Sequence, residues 1–252
     1  KGKLYGDLTV ACYGAEDFML FGSGTMQEAH RRWFERDLPA DVQYRNVSED
    51  WHGLALSGPK SRALLAELTR EDVSAAGFAL RDTKMTFVAG VPVILTRISF
   101  SGELGYEIYC NLQYLRRLTE AVELAGADKG LRWYGARALM SMRLEKGWGA
   151  WGLDFRPDFT AAEAGLDGFI NWNKEFVGKS AAQAGARPAK RLVTLTLEVE
   201  GIDVSNDESL REKMSAMANG ARSVPQIFAD NIHIGDCDKI HKLDLENKLD
   251  KL

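Results

Sequence analysis

The sequence changes character near residue 200, and that break limits what the chain can build. Up to about Glu198, strand-like and helix-like apolar patterns alternate over a length sufficient for a substantial core. Beyond Glu200 only about fifty residues remain, and they read as helix, hairpin, helix. Residues 206–218 form a polar helix. Gln226–Ala229 and Ile232–Ile234 form a hairpin across Asp230-Asn231, a pair that tolerates the positive φ of a tight turn, and a last helix starts at Cys237-Asp238. A piece this small buries too little surface for a core of its own. It must lean on the body, pair with strands it does not carry, or be marginally stable. The expected division is therefore 1–199 and 200–252.

In the first part, Leu8–Cys12 and Phe18–Phe21 read as paired strands, and Thr25 as the cap of a helix with Met26, Ala29, Trp33 and Phe34 on one face. Leu54–Leu56 is a strand, and Pro59 sits near the start of a short helix turning Leu64, Leu65 and Leu68 inward. Val91–Phe100 and Tyr106–Cys110 are strands around Ser101–Gly105. Leu115, Leu118, Val122 and Ala125 mark a third helix, and Arg137–Glu145 a fourth, entered after Gly135 and stopped by Gly147. Ala161–Ala164 is a single turn, Phe169–Trp172 a short strand, Gly178–Ala184 a short helix, and 194–199 an alternating, half-buried strand. Strands often follow one another directly, which predicts an α+β fold rather than a regular βαβ repeat.

Net charge is −4, and no Lys/Arg face is clustered, so nucleic acid is not an expected partner. Cys12, Cys110 and Cys237 lie about a hundred residues apart, which gives no CxxC pair and no local metal pattern. No apolar run approaches the ~20 residues that span a bilayer. Lys1–Val10 lacks the apolar stretch of a signal peptide, and the start at Lys rather than Met implies a processed or fragmentary beginning. A reducing compartment is expected: the cytoplasm, or the mitochondrial matrix in a eukaryote.

Gly6-Asp7-Leu8-Thr9-Val10, Arg97–Glu107 (RISFSGELGYE) and Gly135–Gly152 (GARALMSMRLEKGWGAWG), followed by Thr160–Gly165 and Phe176–Lys179, resemble the glycine-cleavage aminomethyltransferase (T-protein) family. Within it, the folate-binding region of dimethylglycine and sarcosine dehydrogenases is the most similar variety. The resemblance covers about 1–199 and implies a truncated T-protein-like fold that binds tetrahydrofolate. It gives Glu107 the pterin, where one carboxylate accepts two adjacent N–H groups. On its own, Glu107 would read as a surface strand residue. Asp7 matches the catalytic aspartate that manages the proton of the folate nitrogen; by itself it would be a strand-start cap. Arg137, on an apolar helix face, is implied to meet the anionic part of the cofactor, or else to form a structural salt bridge, with Glu103 as a partner. Arg143 and Glu145 read as structural. Gly105, with Gly102, lets the backbone turn and approach a ligand. Phe100 stands where many relatives have a tyrosine, as do Ala11 and Lys146; this keeps the shape and loses hydrogen bonds. No GxGxxG occurs, and Gly22-Ser23-Gly24 reads as a turn, so FAD is expected only in a missing upstream domain or another chain.

Ile202–Ser205, Ala221–Phe228 and His233–Asp238 resemble the second half of a glutaredoxin, a partial thioredoxin-like segment. The resemblance implies glutathione as ligand. Val224-Pro225 would pair with it as an added strand, and Cys237-Asp238 would meet it at a helix N-terminus. The plain readings are an ordinary turn and a small residue at a helix start. The family's reactive CxxC or CxxS lies on a unit this chain does not carry.

The expected function is thus a one-carbon-transfer region that captures an amine-derived iminium carbon as methylenetetrahydrofolate. The alternatives are a glutathione-binding thiol-redox module and a non-catalytic fusion of two truncated proteins.

Overall fold

A computed structural model describes residues 1–194, 207–220, 227–229, 232–235 and 242. From the N-terminus, β1 (Thr9–Cys12) and β2 (Phe18–Phe21) form an antiparallel hairpin, followed by α1 (Gln27–Asp37), β3 (Trp51–Ser57) and α2 (Ser61–Leu68). Three strands come next, β4 (Thr83–Val88), β5 (Val91–Thr96) and β6 (Gly105–Asn111), then α3 (Leu115–Gly126), α4 (Ala136–Glu145) and α5 (Lys179–Ala184).

Strands β3 to β6 make one antiparallel sheet in the order β3-β6-β5-β4. Its two faces differ because side chains alternate along each strand. On one face Leu56, Val93, Leu95, Tyr106, Ile108 and Cys110 pack under Leu64 and Leu65 of α2 and Leu118 and Val122 of α3. Each such side chain contributes roughly 1.5–3 kcal/mol when removed from water. The other face presents Gly53, Ala55, Ile94, Thr96, Glu107 and Tyr109, with Gly53 opposite Tyr109 and both Ala55 and Thr96 opposite Glu107. A Cβ at Gly53 would stand 2.5 Å from the Tyr109 ring, so only glycine lets that ring lie across β3.

Several local expectations change. Thr25 does not cap α1: it lies in a 3-10 turn, Gly24–Met26, and its hydroxyl pairs with that of Ser23 at 2.9 Å. On the amphipathic stripe of α1 the one buried residue is His30 rather than an apolar side chain. β5 stops at Thr96, so 97–104 is a loop and Phe100 is not in a strand. Phe169–Trp172 is not a strand; Asp167–Phe169 is a 3-10 turn. β4 escapes the usual pattern because it is inverted. Met85 and Phe87 are exposed, whereas Lys84 and Thr86 turn toward Glu71, Thr86 Oγ1 donating to it at 2.8 Å.

Backbone contacts divide the chain into Lys1–Thr194 and Leu195–Leu252. In the second unit, α6 (Glu208–Met217) is capped by Asp207, whose side chain accepts from the Leu210 N–H at 3.0 Å. β7 (Ile227–Ala229) and β8 (Ile232–Gly235) pair antiparallel. The strand expected at 194–199 and the last helix lie outside the described residues. Among the described residues no helix is long and apolar enough to cross a membrane.

Leu65→Ala and Leu118→Ala are each expected to lower stability by about 2–5 kcal/mol, and Phe87→Ser by no more than about 0.5 kcal/mol. Urea denaturation followed by circular dichroism checks this; a large loss for Phe87→Ser would contradict the exposed face of β4.

Candidate functional site

The sheet face opposite the core forms the floor of a cleft of about 420 Å³. Asp7, Phe21 and Ser23 come from the N-terminal segment and hairpin, Glu107 and Tyr109 from β6, Ile98 to Ser101 from the loop after β5, and Tyr134, Leu139 and Trp151 from the α4 region. Among the described residues no arginine or lysine lines it. Its walls are aromatic: Phe21 stacks on Tyr109 with centroids 4.1 Å apart.

Glu107 is half-buried in mid-strand and accepts a hydrogen bond from the Tyr109 hydroxyl at 2.6 Å. Burial pushes its carboxyl above the usual glutamate range, and the Tyr109 bond partly opposes this. Burial raises the Tyr109 phenol as well, aided by the neighbouring Glu107 charge, so it stays a donor. Asp7 lies just before β1; burial raises its carboxyl too, and among the described residues it has no polar partner. The segment carrying Asp7 is tied down by its neighbours. Leu4 N–H bonds to the Phe159 carbonyl at 2.8 Å, Lys3 pairs with Glu163 at 3.2 Å, and the Tyr5 ring packs on Trp33 with centroids 4.5 Å apart.

Phe100 lines the cleft with Asp7 and Glu107. Gly105 does not. A Cβ there would fall 2.7 Å from Ser99 Cβ, so the glycine draws the 97–101 loop against the sheet rather than approaching a ligand. Lys146 secures the same loop by donating to the Ser99 carbonyl at 2.7 Å.

Arg137 is exposed, not buried, and has no salt bridge to Glu103 or any other described residue. The expected buried arginine is Arg143 instead. It is 5% exposed, pairs with Asp154 at 2.6 Å and donates to the Trp148 carbonyl at 3.1 Å. Because Asp154 also accepts from the Ala150 N–H at 2.9 Å, this clasp fixes the hook that carries Trp151 into the cleft. Val224, Pro225, Cys237 and Asp238 lie outside the described residues.

Tyr109 was legible but unread: it lies two residues from Glu107 on a strand, hence on the same face. Phe21, Tyr134 and Trp151 reach the cleft from distant parts of the chain and carry no local signal.

This is a candidate ligand cleft on an α+β domain, with aromatic walls and two carboxyls that pair with no cation among the described residues. The chain belongs to the GCVT N-terminal domain family, whose profile matches residues 1–174. The glutaredoxin family profile matches residues 189–234. Human mitochondrial dimethylglycine dehydrogenase is 37% identical over 83% of this chain and 25% of its own length. An aminomethyltransferase of Bacillus cereus is 31% identical over 71% of this chain and 50% of its own length. The chain thus spans about a quarter of the dehydrogenase it matches. The fold is that of glycine cleavage system aminomethyltransferase T from Bartonella henselae, with a TM-score of 0.63 at 24% identity over 73% of this chain and 49% of that one.

Tyr109→Phe removes the donor that stabilises the ionised Glu107, so its carboxyl should titrate higher still, as ¹³C NMR of labelled glutamate would record. Asp154→Ala strands the buried Arg143 charge and should cost about 3–5 kcal/mol in denaturant unfolding; a loss below about 1 kcal/mol would mean the clasp is not buried in solution.

Proposed function

We propose that the first unit is the tetrahydrofolate-binding, one-carbon-transfer region of a dimethylglycine or sarcosine dehydrogenase-type protein. Family membership supports the class. The observation that carries the finer reading is the convergence of Glu107 and Asp7 in one aromatic-walled cleft.

The residues present fit a reduced pterin. Glu107 offers a carboxylate hydrogen-bonded by Tyr109 that could accept two parallel N–H groups, while Phe21, Phe100 and Trp151 would pack on the ring. Tetrahydrofolate supplies a nucleophilic amine when bound. Asp7, free of partners among the described residues and with a raised carboxyl, would hold or take a proton at that amine while the methylene carbon of an iminium passes to the folate, its bond to the parent amine breaking and the demethylated amine leaving with the two protons the folate nitrogens give up. Phe100 contributes shape alone. Arg137, exposed on the first turn of α4 near Tyr134 and Leu139, is assigned the anionic end of the folate. No residue is assigned to oxidation of the amine, a step that would fall to FAD outside this chain.

The profile match over 189–234 favours a second reading for the tail, a glutathione-binding segment built on Val224 and Pro225. Glutathione titration of the Pro225→Ala variant separates the two readings.

Calorimetric titration with tetrahydrofolate tests the first. Glu107→Gln should weaken binding about 10–100-fold, the worth of a charge-assisted pair. Folate N–H groups favour the ionised carboxylate, so binding expels the Glu107 proton once pH lies below its raised pKa. Affinity should therefore fall as pH drops through that value, and this slope should vanish in Glu107→Gln. The converse holds for stability: burial disfavours the charged form, so Glu107 weakens the free protein as pH rises from the unfolded glutamate value through the folded one. Absence of binding at hundreds of micromolar ligand would sink the reading.

A further inference from the structure

We propose that His30 is a positioning residue for Asp7, acting through the backbone of Tyr5 and Gly6; this rests on the assignment of Asp7 above. Asp7 sits on a stretch of chain, residues 4–8, that belongs to no helix or strand, so neighbouring groups must set where its carboxyl points. His30 is 5% exposed, on the face of α1 that otherwise carries Met26, Ala29, Trp33 and Phe34. A leucine would fill that stripe more cheaply, since a buried imidazole needs a polar partner. Its partner is the Tyr5 carbonyl, 3.0 Å from Nε2. A carbonyl only accepts, so the ring carries its proton on Nε2.

The ring also abuts Gly6 so closely that a Cβ there would clash with Nε2 and Cε1. On its remaining sides it meets Tyr5, Phe34 and, edge-on at 6.4 Å, Trp151 of the cleft wall. One side chain thus clamps the two residues before Asp7 and braces them on a residue that shapes the same cleft. A histidine placed only for packing would have no reason to spend its single polar contact on the segment leading into the carboxylate.

The test follows the Asp7 carboxyl directly, by ¹³C NMR titration of the full chain labelled at aspartate and glutamate, with Asp7→Asn assigning the signal. His30→Phe keeps a ring and loses the donor; Gly6→Ala pushes the segment off the ring. In both, Asp7 should titrate lower, nearer to an ordinary aspartate, with Glu107 unmoved. His30→Gln keeps an N–H donor and should lie closer to the unaltered protein. Tetrahydrofolate affinity should drop about tenfold in His30→Phe and no further when Asp7→Asn is already present. An Asp7 titration unchanged in His30→Phe, an equal shift at Glu107, or loss of the folded state in His30→Phe and His30→Gln alike would overturn the assignment. The titration needs no folate. If the unaltered protein binds none, the folate reading fails, and the Asp7 signal still decides whether His30 sets its environment.

Discussion

A carboxyl in the middle of a sheet strand is the constraint around which the cleft is arranged. Glu107 lies on β6 between Tyr106 and Ile108, both fully buried on the opposite face. Strand alternation therefore gives it no freedom to leave: a shift of one residue would put Glu107 into the core and Tyr106 into the cleft. Its neighbours answer this. Ala55 and Gly53 on β3 are small enough to leave room above the sheet, and Tyr109 donates the one hydrogen bond that the carboxyl receives among the described residues. Tyr109 reaches over β3 only because Gly53 has no side chain. The stability of the first unit and the shape of its cleft thus depend on the same strand, read from opposite sides.

The remaining walls are loops tied to the ends of α4 and β6. The Ser99 loop is drawn in by Gly105 and Lys146, and the Trp151 hook by Arg143 and Asp154. The hook is also bonded within itself, Asp154 and Phe155 N–H both reaching the Ala150 carbonyl, and these side-chain anchors tie each loop to its surroundings. The anchors are charged groups bonded to carbonyls or to each other. Their removal disturbs a wall of the cleft before it disturbs the sheet.

Much of this was legible in the sequence, in proportion to how local its cause is. The core helices follow from the spacing of Leu64, Leu65, Leu118 and Val122, and the paired carboxyls from motifs that carry a family pattern. β4 was not legible, because its apolar Met85 and Phe87 point outward while Lys84 and Thr86 turn to Glu71. Arg137, expected on an apolar helix face, is exposed, whereas Arg143, read as structural, makes the buried ion pair. Both lie on α4 with similar neighbours in sequence, and only the fold back of 148–154 brings Asp154 to Arg143. His30 was hidden for the same reason: its partner is a carbonyl twenty-five residues away, and carbonyls leave no trace in composition.

The charge pattern of the cleft restricts its ligand further than its shape does. Two carboxyls face it and, among the described residues, no cation lines it; both carboxyls are pushed toward their neutral forms by burial. An anion placed inside would add repulsion to that desolvation, whereas a flat group rich in N–H donors, or a cationic carbon centre, would relieve it. The anionic end of a ligand bound there would therefore be driven outward, toward solvent. A neutral, donor-rich ring within and a charged tail without is the division that a reduced folate would make, in keeping with the proposed function.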